Sequence, residues 1–223
     1  MNHADKIIQF LQGLEWPKPL PEGIGILNPW KQPEVMEVCR RFYSAYYADD
    51  RPRTLILGIN PGRFGGGMTG IAFTDPIRLE SFCSIQNPFA KRAELSSEWV
   101  YRVIAAYGGP EAFYRDFHVN SVVPLGFVKD GKNCNYYDDP ELAKTAESLI
   151  PDWMDMHRSI AGITDRCICL GEGKNLDVLK RLNDRHGWFA TIVGLPHPRF
   201  ILQYRRKEAG IFLERYLSAL KGV

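Results

Sequence analysis

A chain of 223 residues can bury one large core, and 45% hydrophobic with 24% charged residues is the composition of a folded globular protein rather than a disordered or fibrous one. A formal net charge of +2 neither marks nor excludes a polyanionic partner, because phosphates are met by a local basic face and not by total charge. No apolar run approaches the roughly 18 residues of a membrane span, and the start "MNHADKIIQF" has no signal-peptide core, so a cytosolic, monomeric protein is the default expectation.

In chain order, "QPEVMEVCRRFYSAYY" is helical: Val35, Val38, Cys39, Phe42 and Tyr46 recur on one face and Pro33 suits the first turn. "TLILGI" (54–59) reads as a strand buried on both faces. "SSEWVYRVIAAYGG" predicts a helix from a Ser cap to a Gly-Gly stop, and "FHVNSVV" (117–123) a second strand. "DDPELAKTAESLIPDWMDMHRSI" predicts a helix capped by Asp139, started by Pro140 and broken or kinked at Pro151. Strands follow at "RCICLG" (166–171) and "FATIVGL" (189–195), with helices at "KNLDVLKRLNDRHG" and "EAGIFLERYLSAL". Strands alternating with helices predict an α/β fold, a three-layer sandwich with a central four-stranded, mainly parallel sheet flanked by helices. No repeat or linker divides residues 1–223, so a single domain is expected.

Five cysteines at irregular spacings make neither a disulfide framework nor a zinc or iron–sulfur site. Cys167 and Cys169 fall on one side of a strand and read as buried thiols. Neither a metal nor another cofactor is called for.

In open parallel sheets ligands bind beyond the carboxyl ends of the strands. Here those ends are Gly58-Ile59-Asn60, the 120–124 segment, Gly171-Glu172-Gly173 and "GLPHPR" (194–199). A phosphate-binding loop fits "GINPGRFGGG" poorly: no Lys-Ser or Lys-Thr follows, the dinucleotide fingerprint is missing, and Pro61 removes a backbone donor. A pocket fits better. Asn60 ends its strand with a free amide, Gly62 and Gly65 to Gly67 let a ligand approach bare backbone, and Phe73 offers a stacking face. His197, between two prolines, is presented at the same edge, and Asn120 sits in an otherwise apolar strand, where a buried amide needs partners.

Together "GINPGRFGGGMTGIAF", "FHVNSVVPLGF" and "GLPHPRF" resemble the uracil-DNA glycosylase superfamily, and within it the single-strand-selective monofunctional group, on its bacterial branch. The resemblance runs from Leu55 to about Tyr204. It implies a uracil-DNA glycosylase-like fold, a hydrolase of N-glycosyl bonds without lyase activity, and a DNA partner, single- or double-stranded, carrying uracil or related lesions. By that resemblance Asn60 binds the attacking water and His197 donates to O2 of the departing base. Asn120 reads the base edge, Phe73 stacks under the ring, and Gly62, Gly65 and Gly66 border its C5 edge. The resemblance also implies that Arg63, Arg199, Arg205, Arg206 and Lys207 meet phosphates, with Phe200, Ile201 or Leu202 as an apolar wedge. The chain departs from the family pattern at Arg63, at Gly66 and after the His-Pro pair. The ranking of uracil, hydroxymethyluracil, etheno-adducts and deaminated purines stays open. The alternative is a catalytically silent nucleic-acid or nucleotide-binding module on the same fold, which would need neither Asn60 nor His197.

Overall fold

The structure is a computed structural model that describes residues 1–162 and 164–222. The chain begins with α1 (His3–Gly13), β1 (Ile24–Leu27), α2 (Pro33–Tyr46) and β2 (Thr54–Gly58). Two short helices, α3 (Gly66–Thr69) and α4 (Pro76–Ser81), precede α5 (Leu95–Tyr107), α6 (Pro110–Asp116) and β3 (Phe117–Ser121). A hairpin of β4 (Gly126–Lys129) and β5 (Lys132–Cys134) leads to α7 (Pro140–Ala161). Then come β6 (Arg166–Leu170), α8 (Lys174–His186), β7 (Thr191–Leu195), α9 (Pro198–Tyr204) and α10 (Ala209–Lys221).

The four expected strands form one parallel sheet in the order β3-β2-β6-β7. Alternation along β2 explains why the sheet needs helices on both faces. Ile56, Val119, Ile168, Leu170 and Leu195 pack against Val100, Val103 and Phe113 of α5 and α6 and against Leu220 of α10. His118 projects from the other face, where its ring meets Tyr47 and His157 of α7, both centroids 5.9 Å away. Cys167 and Cys169 are fully buried free thiols, and burial pushes Cys169 up to about 12, so they are packing groups.

A second sheet, β1-β4-β5, is antiparallel and was absent from the sequence expectation. Its hairpin turns on Asp130 and Gly131, both at positive φ, the geometry that an Asp-Gly pair favours between twisted strands. Two other expectations need correction. Helix α7 runs unbroken through Pro151, because Leu142, Ala146, Ile150, Trp153, Met154 and Ile160 bury one face along its whole length. The N-cap of α5 is Glu94 and not a serine; Ser96 and Ser97 lie inside the helix and are buried.

Arg53 joins the elements behind the sheet. It is fully buried, and its guanidinium donates to the carbonyls of Tyr114 (2.7 Å) and Tyr46 (3.2 Å) and to Asp49 (2.8 Å). Its charge and hydrogen bonds hold the Asp49 carboxyl below the usual carboxylate range. Removing the guanidinium strands buried carbonyls and an acid, so Arg53→Ala should lower the unfolding free energy by about 3 kcal/mol. A urea titration would read this as a shifted midpoint at unchanged slope.

Candidate active site

Beyond the carboxyl end of β2 lies a cavity of about 220 Å³. Of the residues singled out in the sequence it is lined by Asn60, Gly62, Gly66, Phe73, His197 and Arg199. These arrive from the loop after β2 and from the start of α9, and the parallel order of β2, β6 and β7 brings them to one edge.

Asn60 does not hang free. Its Oδ1 accepts the Tyr136 amide at 3.0 Å and its Nδ2 donates to the Cys134 carbonyl at 3.2 Å, which fixes which way round the amide sits. Tyr136 is held in turn, its hydroxyl donating to Asn175 Oδ1 at 3.0 Å, while Asn175 Nδ2 donates to the Gly58 carbonyl at 3.3 Å. Asn175 follows the Gly171–Gly173 segment at the end of β6, so that strand end supports the site without lining it. Asn60 keeps one Oδ1 lone pair and one Nδ2 hydrogen for a ligand.

Phe73 is in the left-handed region at φ 52, uncommon for a bulky residue and typical of strained functional sites. Its ring lies against Gly58, where any Cβ would overlap it. The His197 ring is 6.3 Å from the Phe73 ring. His197 Nδ1 accepts the Arg199 amide at 3.2 Å, which places the imidazole proton on Nε2. Loss of solvation and the charge of Arg199 lower His197 to about 4, so it is neutral at neutral pH and still a donor.

Asn120 is the exception among the expected residues. It lines a small void that adjoins the cavity across Pro61, Gly66 and Ala72, and its Oδ1 accepts the Ser121 amide at 2.8 Å. Strand alternation puts Asn120 on the face of His118, and Ser121, one residue on, lines the cavity itself. "NSVV" contains both polar residues, but period two cannot say which of them faces the ligand. Gly65 is not in the cavity wall; it is buried beneath the Glu94 carboxyl.

The polar lining residues Glu94, Ser96, Ser121, Asn133 and Asn135 escaped the sequence reading. Asn133 Oδ1 accepts the Arg63 amide at 3.0 Å. The Glu94 carboxyl rests on Gly62 and Gly65, so that a Cβ at either position would overlap Oε1 or Oε2. Burial, then repulsion from Asp75, raises it to about 7 against the opposing charge of Arg199. Nothing local marks Glu94 in the sequence, since it precedes a helix as many glutamates do. Among the described residues no group of three or more His, Cys, Asp or Glu is placed to hold a metal.

A family model described as the uracil DNA glycosylase superfamily matches residues 45–221, and thus spans the cavity and both of its supporting sheets but for β1. The chain belongs to the uracil DNA glycosylase superfamily. Among solved structures it is similar to the crystal structure of wild-type Pedobacter heparinus SMUG2, with 43% sequence identity and a TM-score of 0.95, over 100% of this chain and 98% of that one. The chain is a DNA glycosylase, a hydrolase of N-glycosidic bonds, and the reading as a silent binder is set aside. No helix among the described residues is long and apolar enough to cross a membrane.

Around the mouth of this glycosylase the charge is positive. Arg63, Lys132 and Arg199 line an adjoining groove with Phe64, and the Arg63 and Arg92 guanidinium groups lie 4.3 Å and 5.1 Å from the Phe64 ring centre. On α9 the wedge candidates separate: Ile201 and Leu202 are 0% and 2% exposed, and Phe200 is 44% exposed. Ile201 and Leu202 are thereby removed as wedges, because they anchor α9 in the core. Tyr204, missed in the sequence, is 67% exposed beside Phe200, with ring centres 5.8 Å apart. Arg205, Arg206 and Lys207 form the exposed turn into α10, where Arg205 pairs with Glu208 at 3.4 Å and Arg206 Nε donates to the Leu202 carbonyl. The neutral state of His197 has a direct readout. Nitrogen NMR should find it neutral with the proton on Nε2 through the neutral range, protonating only near pH 4; a midpoint near the ordinary value of about 6.5 would contradict it.

Proposed function

We propose that this glycosylase extrudes uracil and chemically related lesions from DNA and hydrolyses the C1′–N1 bond with Asn60 and His197 as its catalytic pair. The observation that carries the reading is a clamped amide and a neutral, donating imidazole on one cavity that also holds an aromatic face. Cleavage builds positive charge on the sugar and negative charge on the departing base. The bond's electron pair leaves on the base, the water oxygen bonds C1′, and the water's proton passes to the base or to solvent. An amide is too weak a base to take that proton, so Asn60 orients the water through its remaining lone pair. His197 donates from Nε2 to O2 as charge develops there, an interaction stronger in the transition state than in the ground state.

Phe73 stacks under the ring, and Gly66 and Gly62, the latter covered by the Glu94 carboxyl, border its C5 edge, where 5-substituted uracils such as hydroxymethyluracil are further candidate substrates. Asn120, on the void adjoining the cavity, and Ser121 and Asn135 on its wall are polar groups that fit base contacts. Arg63, Arg199, Arg205, Arg206 and Lys207 supply charge for phosphates, and Phe200 with Tyr204 provides the exposed wedge. Base flipping costs least where the base is unpaired or mispaired, so single strands and U·G pairs should be processed ahead of U·A.

Excision from uracil-containing oligonucleotides without added metal tests this. Wild type should produce an alkali-labile site and Asn60→Ala none, while both bind the uracil strand with similar affinity. Equal loss of binding and turnover would overturn the water-orienting role. His197→Ala should lower the single-turnover rate by about 10²- to 10³-fold, the usual cost of removing a donor from developing negative charge.

A further inference from the structure

Glu94 is the only acid among the residues lining the cavity, and no catalytic role has yet been given to it. Its backbone is fixed at both ends: the amide donates to Asp75 Oδ2 at 2.9 Å and the carbonyl accepts the Glu98 amide at 2.8 Å. Asp75 is fully buried and anchored by the Arg78 amide and guanidinium, each at 2.9 Å, so Glu94 projects from a rigid base. The carboxyl is laid over Gly62 and Gly65, where only glycine leaves room for it, and among the described residues no donor reaches either oxygen. The carboxyl is half-buried, and an acid without a donor on the wall of a substrate cavity is available to the substrate.

We propose that Glu94 is a second catalytic donor: protonated, it hydrogen-bonds the far carbonyl oxygen of the extruded base, O4 of uracil, and stabilises the charge that this oxygen takes as the glycosidic bond breaks. The inference rests on the glycosylase reading above. A uracil anion spreads its charge over N1, O2 and O4, so two donors on two oxygens share it. His197 approaches from the Phe73 side and Glu94 from the Gly62–Gly65 wall, which gives each its own oxygen. Glu94 keeps its proton while the electron pair of the C1′–N1 bond passes to the base. Ionised, the same carboxyl would repel O4 and oppose departure of the anion. Cytosine carries an amino group in place of O4 and has no oxygen there to receive the donor.

The surroundings favour the neutral form. Asp75 behind the carboxyl and the loss of solvation push the proton on, and DNA phosphates at the mouth act in the same sense. Arg199 from α9 opposes them, and the other charges on this side are Arg63 after β2 and Lys132 of β5 in the adjoining groove and Arg92 beside Phe64; His197 is held towards its neutral form. The sign is therefore definite: the donor is present below the Glu94 midpoint, about 7 in the free enzyme, and is lost as pH rises through it.

Single-turnover excision of uracil from a single-stranded oligonucleotide, followed from about pH 5 to 9, tests this against Glu94→Gln and Glu94→Ala, with thermal melts confirming that both variants fold. Wild type should lose rate above one ionisation. Glu94→Ala should be slower at the acid end by roughly tenfold to a hundredfold, without that limb. Glu94→Gln, a donor that does not titrate, should recover most of this loss and stay level across the range. An alkaline limb persisting in Glu94→Gln, or Glu94→Ala cleaving as fast as wild type, overturns the role of Glu94 and leaves the glycosylase reading intact. No uracil excision by wild type at any pH overturns that reading, and this inference with it.

Discussion

The clamp on the Asn60 amide is the constraint on which the rest of the site depends. Two hydrogen bonds to the backbone of Cys134 and Tyr136 tie the end of the parallel sheet to the end of the antiparallel hairpin. An asparagine at a strand end ordinarily turns to its own backbone. Here both amide groups are satisfied across the chain, and the water-holding edge is left over by subtraction. Tyr136 and Asn175 close the circuit back to Gly58, so β2, the hairpin and α8 cannot shift independently. Positioning of this kind matters because a small misplacement of a reacting atom can cost about 10²-fold in rate.

Burial then sets the chemistry of the two titratable groups in the cavity, in the same direction by charge and opposite directions in pKa. Desolvation disfavours ions, so His197 is driven towards neutral imidazole and Glu94 towards neutral acid. Both groups are thus biased towards uncharged donor forms beside a leaving group that becomes an anion. Basic residues stay outside at the mouth, where phosphates pass, and Arg199 alone belongs to both regions. The division suits an enzyme that must grip a polyanion and release a small anion.

The glycines of the opening loop show how the residue pattern and the fold divide the explanation. Bare backbone at Gly62 and Gly65 was legible as a place of close approach, and its occupant in the structure is the Glu94 carboxyl. Gly58 likewise makes room for the Phe73 ring, across a separation that no local pattern encodes. Ile201 and Leu202 were indistinguishable from Phe200 as apolar residues after the His-Pro pair; only the packing of α9 against α5 and the core separates anchors from an exposed wedge. The Asp130-Gly131 hairpin and its partner strand β1 were both absent from the sequence expectation, and the β1–β4 pairing joins residues about a hundred positions apart, beyond any local pattern.

By itself the sequence determined the parallel α/β layering, through short β-branched runs alternating with capped amphipathic helices, and the family, through three motifs at strand ends. It also determined that Asn60, Phe73 and His197 belong to one edge, since parallel strands deliver their carboxyl ends together. Only the tertiary structure decided that Ser121 lines the cavity beside Asn120, that Glu94 lines it too, and that the surroundings of His197 push it towards the neutral form. The physical reason is common to the three. Side-chain direction at a strand end, approach across sequence-distant segments and loss of solvation are properties of packing, and local periodicity carries no record of them.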